Sequence, residues 1–155
     1  MPLLIKAEIS KLSTDVLTEL LKNLINEGII NPKNITIRTD FHCTLLYTEK
    51  TCYIPKIINN YVSIHDEHMN KIYDIDIFDE NAIVLLLDSR FLMDRNKEIL
   101  LESKATPQHK IFIPHITIGY LNKGFFLRND VQNEIKTRLK NYTIDFIGEK
   151  GKFIA

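Results

Sequence analysis

The sequence predicts an α+β fold, and three observations carry that prediction. Strand-like alternation and helix-like apolar stripes follow one another in the order β-α-β-β-β-β-α-β-α-β. Residues 71–87 read as a hairpin closed by the turn Asp79-Glu80-Asn81, which implies antiparallel pairing. A His-x-Thr tripeptide occurs twice inside apolar, β-branched runs, as Phe41-His42-Cys43-Thr44-Leu45-Leu46-Tyr47 and as Pro114-His115-Ile116-Thr117-Ile118-Gly119-Tyr120.

Leu3 to Ile9 alternates Leu3, Ile5, Ala7 and Ile9 against Leu4, Lys6 and Glu8, the pattern of a half-buried strand. A helix follows, with Ser13 as its expected N-cap and Asp15 in its first turn. Leu17, Leu20, Leu21, Leu24 and Ile25 form its apolar stripe, and Gly28 ends it. Asn31-Pro32 turns the chain into a short strand over Ile35 to Arg38, which leads to the first His-Thr strand. Tyr53 to Ile58 could add a strand outside that order, at an edge because of Pro55, and His65 to Asn70 reads as loop. Lys71 to Phe78 alternates, with Ile72, Asp74 and Asp76 expected on one face and Tyr73, Ile75 and Ile77 on the other. Ala82 to Leu87 is a nearly continuous apolar run, a central strand. Ser89 caps a second helix to about Ser103, with Leu92, Arg95, Ile99 and Leu100 on its buried side. The second His-Thr strand spans about Ile113 to Leu121. A third helix starts near Asn129, with Gln132 in a capping-box position and Val131, Ile135 and Leu139 buried, and Tyr142 to Gly148 is a final strand.

At 155 residues, 45% hydrophobic and 26% charged, the chain reads as a single globular domain over residues 1–155. Lys6, Glu8 and Lys11 interrupt the first apolar stretch, so no signal peptide is expected, and no apolar run is long enough to span a bilayer. The chain is read as intracellular, with no membrane partner. Cys43 and Cys52 belong to no C-x-x-C motif, and two reduced thiols are the expectation. The 20 basic and 20 acidic residues cancel. A protein that tracks a duplex or a long RNA carries a basic excess, so neutrality favours a small phosphorylated ligand and argues against duplex nucleic acid.

On a strand, residues i and i+2 share a face. Each motif therefore presents one imidazole and one hydroxyl together, His42 with Thr44 and His115 with Thr117. If both pairs face one cleft, one neutral imidazole can take a proton from an attacking hydroxyl while the other, protonated, donates to the leaving oxygen. The threonines can hydrogen-bond phosphate oxygens as charge builds. This is a minimal kit for phosphodiester cleavage with no cofactor and no metal. The competing reading is ordinary strand histidines beside strand threonines. His65 and His68, in His-Asp-Glu-His, and His109 read as loop residues, since convincing ligand partners are missing.

These paired motifs resemble the 2H phosphoesterase superfamily, and within it the phage anti-CBASS nucleases. The likeness rests on His42 to Tyr47, Asp76-Ile77-Phe78, Pro114 to Tyr120 and Ile147-Gly148-Glu149. It implies a bilobal fold, two antiparallel sheets with outer helices around a central cleft, and two pseudo-symmetric lobes. It implies metal-independent cleavage of cyclic oligonucleotide immune signals in an infected bacterium. The adjoining ribose 2′-hydroxyl would attack, giving a 2′,3′-cyclic phosphate that opens to a 3′-phosphate. It also implies that Glu149 lies near an adenine. The relatives stack bases on a first-strand tyrosine and a tryptophan, whereas this chain has Leu3 and Leu4 in that strand and no tryptophan. Tyr73 or Phe78 is the expected substitute. An RNA-end 2′,3′-cyclic phosphodiesterase, for which Lys6, Arg38, Lys110 and Lys123 would be the cationic stripe, and a non-catalytic nucleotide sponge are the alternatives.

Overall fold

A computed structural model describes residues 2–50, 52–61, 70–107 and 111–154. Its elements run β1 (Leu3–Ile9), α1 (Lys11–Asn26), β2 (Ile35–Ile37), β3 (His42–Thr48), β4 (Lys71–Phe78), β5 (Ala82–Asp88), α2 (Arg90–Ser103), β6 (His115–Leu121), α3 (Asn129–Leu139) and β7 (Phe146–Phe153). The strands form two antiparallel sheets. One has three strands in the order β3-β1-β7 and the other has four in the order β2-β6-β5-β4. With three helices, this is the α+β architecture expected from the sequence.

The helices form because their apolar residues recur at helical spacing, and serines cap the first two. Leu17, Leu21 and Leu24 bury one side of α1, Leu92 and Ile99 that of α2, and Val131, Ile135 and Leu139 that of α3. Each such side chain contributes about 1.5–3 kcal/mol by leaving water. Ser89 caps α2 by accepting from the Leu92 amide at 3.1 Å, as its position predicts.

Two caps differ from expectation. Ser10, not Ser13, caps α1, accepting from the Ser13 amide at 3.1 Å. Ser13 is buried, and its hydroxyl accepts from the Asp145 amide at 2.9 Å. Two serines three residues apart can both serve locally, and the tertiary contact with Asp145 decides between them. At α3 no capping box forms, because Gln132 donates instead to the Leu127 carbonyl at 2.8 Å.

Three strand expectations are also corrected. Tyr53 to Ile58 forms no strand. It is extended chain that meets β7 through the Glu149 amide on the Ile58 carbonyl (2.7 Å), followed by the Tyr61 amide on the Ile147 carbonyl (2.9 Å). Pro55 has no N–H to extend that ladder. The alternation of β4 is broken by a bulge between Ile72 and Asp74, so Ile72 and Ile75 are both buried and Tyr73 is exposed. The last strand starts and ends later than Tyr142 to Gly148. Thr143 makes only an isolated bridge to Lys71 before β7 begins.

The two sheets meet where the chain passes from one to the other. The Arg38 amide still donates to Ile118 of β6, at 2.9 Å, whereas His42 already pairs with Glu8 of β1. The crossover Arg38–Phe41 thereby lays β3 against β6. Among the described residues, no helix is long and apolar enough to cross a membrane.

Candidate active site

The two motif strands repeat one local design. Cys43 and Leu45 are buried beneath His42 and Thr44, and Ile116 and Ile118 beneath His115 and Thr117, while the four motif residues are partly exposed, the His42 side chain by only 9%. In both, a bulge follows the threonine. The pairing skips Leu45 between Thr44 and Leu46, and Ile118 between Thr117 and Gly119. Each bulge ends the regular alternation just past the hydroxyl and re-aims the rest of the strand.

Both imidazoles are tethered the same way. His42 Nδ1 lies 3.2 Å from the Asp40 carbonyl oxygen, and His115 Nδ1 lies 2.7 Å from that of Ile113, in each case two residues back. A carbonyl only accepts, so Nδ1 is the donor in both rings. Nε2 is then the nitrogen that gains or loses a proton. The strands touch at the motifs, since the Cys43 thiol reaches the backbone of His115. That thiol is fully buried, and burial pushes it up to about 12. It stays protonated at neutral pH and is no nucleophile. Neither cysteine is in a disulfide.

The surroundings of the two rings differ. Around His42 stand Lys6 Nζ on Asp40 Oδ2 (3.1 Å), Asp40 Oδ2 at 3.6 Å from the imidazole, and Arg38, whose Nε donates to the Asp40 carbonyl at 3.0 Å. Burial, then the Arg38 charge, lower the His42 pKa. Asp40 pulls it partly back, and Lys6 adds to the lowering. These surroundings favour the neutral form of the imidazole. Beside His115 stands Phe78, its ring edge-on with centroids 4.8 Å apart. Of the two aromatic residues expected to replace the missing tryptophan, Phe78 is the one in contact with a motif histidine. Tyr73 is exposed on β4, with β5 between it and β6.

Glu149 is placed differently from the expectation of a carboxylate offered to an adenine. It pairs with Ala7, which pairs with Cys43, so it lies on the sheet face opposite His42 and Thr44. Its carboxylate is buried and occupied by Arg95 (Nε 2.7 Å, Nη2 2.8 Å), the Ile58 amide (2.8 Å) and the Tyr61 hydroxyl. Burial pushes this carboxyl up, but Arg95 and the other donors outweigh it and hold it below its ordinary value. The physical reason is Arg95, a cation on the inner side of α2 that needs a buried anion.

Lys6, Asp40 and Arg38 were legible only as charges. Their link to His42 depends on β1 lying beside β3, and no local pattern states that. His65, His68, His109 and Lys110 lie outside the described residues. Among the described residues, no three His, Cys, Asp or Glu side chains cluster as a metal site.

Comparison with curated proteins finds no match. Residues 2–147, nearly the whole chain and both motif strands, match the family described as anti-CBASS protein Acb1. The chain that carries these paired His-x-Thr strands therefore belongs to the Acb1 family of anti-CBASS proteins, antagonists of CBASS signalling.

Proposed function

We propose that the chain is a phosphodiesterase of the 2H type that degrades cyclic di- and oligonucleotide immune signals without a metal, in the cytoplasm of an infected bacterium. The observation that carries this reading is the pair of like-tethered imidazoles, each with a threonine on its own face, on abutting strands of an anti-CBASS protein.

One imidazole removes the proton from a ribose 2′-hydroxyl through Nε2. The 2′-oxygen attacks the adjoining phosphorus, and the bond from phosphorus to the 5′-oxygen breaks. The second imidazole gives its proton to that 5′-oxygen. Thr44 and Thr117 donate to the non-bridging oxygens while they carry extra charge. A water, activated by the same pair with roles exchanged, opens the 2′,3′-cyclic phosphate to a 3′-phosphate. Phe78 supplies an apolar wall at His115, and Tyr73 an exposed aromatic surface for a base. Glu149 supports the site from the opposite face through Arg95.

The test is a panel of cyclic di- and trinucleotides in excess chelator, read by product mass. Linear products ending in 3′-phosphate are expected, and a substrate that is 2′-deoxy at the scissile linkage should be inert. Turnover that stops on chelation, or that survives loss of both histidines, overturns the mechanism. Cleavage of nucleoside 2′,3′-cyclic phosphates alone replaces the substrate with RNA ends. Stoichiometric binding without product makes the protein a sponge.

A further inference from the structure

Lys6 is an unusual residue for its place. It sits in the central strand of the three-stranded sheet between the buried Ile5 and Ala7, and is itself 8% exposed. A buried ammonium is costly unless paired. In the register Lys6 lies beside Thr44, and Glu8 beside His42, so their side chains share the motif face. The Lys6 ammonium meets Asp40 Oδ2 at 3.1 Å, and that same oxygen is 3.6 Å from His42 Nδ1. The Asp40 carbonyl receives His42 Nδ1 and also Arg38 Nε. Arg38 Nη1 in turn donates to the Tyr120 hydroxyl on β6, at 2.7 Å. One connected network therefore runs from β1 through the crossover and His42 to β6, tying the two sheets together at the point where the motifs meet.

We propose that Lys6, Asp40 and Arg38 are positioning residues for His42: they tie its ring to both sheets and set it up as the proton acceptor of the pair. This assignment rests on the phosphodiesterase reading above and goes beyond it by dividing the two roles. Two cations beside His42 disfavour its charged form, while one carboxylate, itself neutralised by Lys6, restrains the effect. Burial pushes Asp40 up, but Lys6, His42 and Arg38 together hold it below its ordinary value, so it remains an anion. Among the described residues, Glu8, held by Lys150 of β7 at 3.3 Å, also lies beside His42, and β6 with His115 packs against β3. With His42 neutral, His115 is left to deliver the proton to the 5′-oxygen. The Asp40 side chain is 58% exposed. Asp40 thus neutralises a buried ammonium while its own carboxylate stays open to the solvent side of His42.

The test is a titration of the His42 imidazole by NMR in the full chain, with His42→Gln used for assignment, alongside pH profiles of kcat/KM on a cyclic dinucleotide. Lys6→Met keeps the length and apolar stem of the lysine and removes a cation, so the His42 midpoint and the acidic limb should both rise, by roughly half a unit to one unit. Asp40→Asn removes the anion and should lower both by a similar amount. Opposite shifts support the network. Shifts of the same sign, or none, overturn it. Should Lys6→Met fail to fold, Asp40→Asn decides alone, because a downward shift is required. If the wild type turns over no cyclic dinucleotide, the function falls while the titration still tests the network. If turnover is normal and the midpoint is unmoved, only the network falls.

Discussion

β3 and β6 carry the same tripeptide, the same bulge and the same Nδ1 tether, yet one is an edge strand and the other is enclosed. β3 has a single sheet neighbour, β1, whereas β6 lies between β5 and β2. The difference is recorded at one position. Just past the bulge β3 carries Leu46, and β6 carries Gly119. A Cβ at Gly119 would fall 2.9 Å from the Thr36 carbonyl oxygen on β2. Leu46 has no such neighbour and buries its side chain instead. The lesson is that the chemistry requires a histidine, a threonine and a bulge, while the residue after the bulge answers to the neighbouring strand. Charge follows the same division. His42 sits among Lys6, Asp40 and Arg38, and His115 against Phe78.

The largest test of this comparison is to remove each imidazole separately. If both act as proton-transfer groups, His42→Ala and His115→Ala should each cost about 10²–10⁴ in kcat. A large loss in one and a small loss in the other would break the equivalence of the two strands. Next, Arg95→Met leaves Glu149 charged and buried beneath the β3 side, and should cost about 3–5 kcal/mol of unfolding free energy, read by denaturant melts. Replacing both residues by apolar side chains should return most of that loss. A smaller expected effect separates the strands directly. Gly119→Ala should cost about 1–3 kcal/mol through its clash with β2, and deleting Thr36 with its strand should relieve it, whereas Leu46→Gly is a loss of packing with nothing to relieve.

The smallest effects are read in pH. Burial and the Arg38 charge lower the His42 pKa from the ordinary imidazole value, so the acidic limb of kcat/KM should lie on the acid side of a free imidazole, and a limb on the alkaline side would remove the basis for the asymmetry. Glu149 has a lowered pKa in the folded protein. Its contribution to stability is complete above the ordinary carboxylate range and is lost as pH falls through the folded value. Acid melts of Glu149→Gln should accordingly show a shallower pH dependence than wild type.

Much of this was legible in the sequence because it is local. The order of the ten elements, the Ser89 cap and the buried sides of α2 and α3 follow from spacing over one or two turns. Leu100 is the exception on α2, only partly buried, where Asn96 faces inward to donate to the Leu45 carbonyl at 2.8 Å. What escaped was set by distant residues. Asp145 chose the cap of α1, and Arg95 drew Glu149 away from the motif face. The bulge at Tyr73 depends on how β4 matches β5. The paired tripeptides were visible from the first reading, but their shared carbonyl tether is backbone geometry and has no letter code.

The placement of β1 has a consequence for how the protein is assembled. It precedes the other six strands in the sequence, yet it is central in its sheet, and its partners β3 and β7 are drawn from residues 42–48 and 146–153. The four-stranded sheet draws only on residues 35–121 and can form while later segments are still being synthesised. The three-stranded sheet is complete only when β7 joins β1, a pairing across almost the whole length of the sequence, and pairings so far apart are slow to close. The half bearing His115 can thus form from a contiguous stretch of sequence, whereas the half bearing His42 joins segments from its two ends.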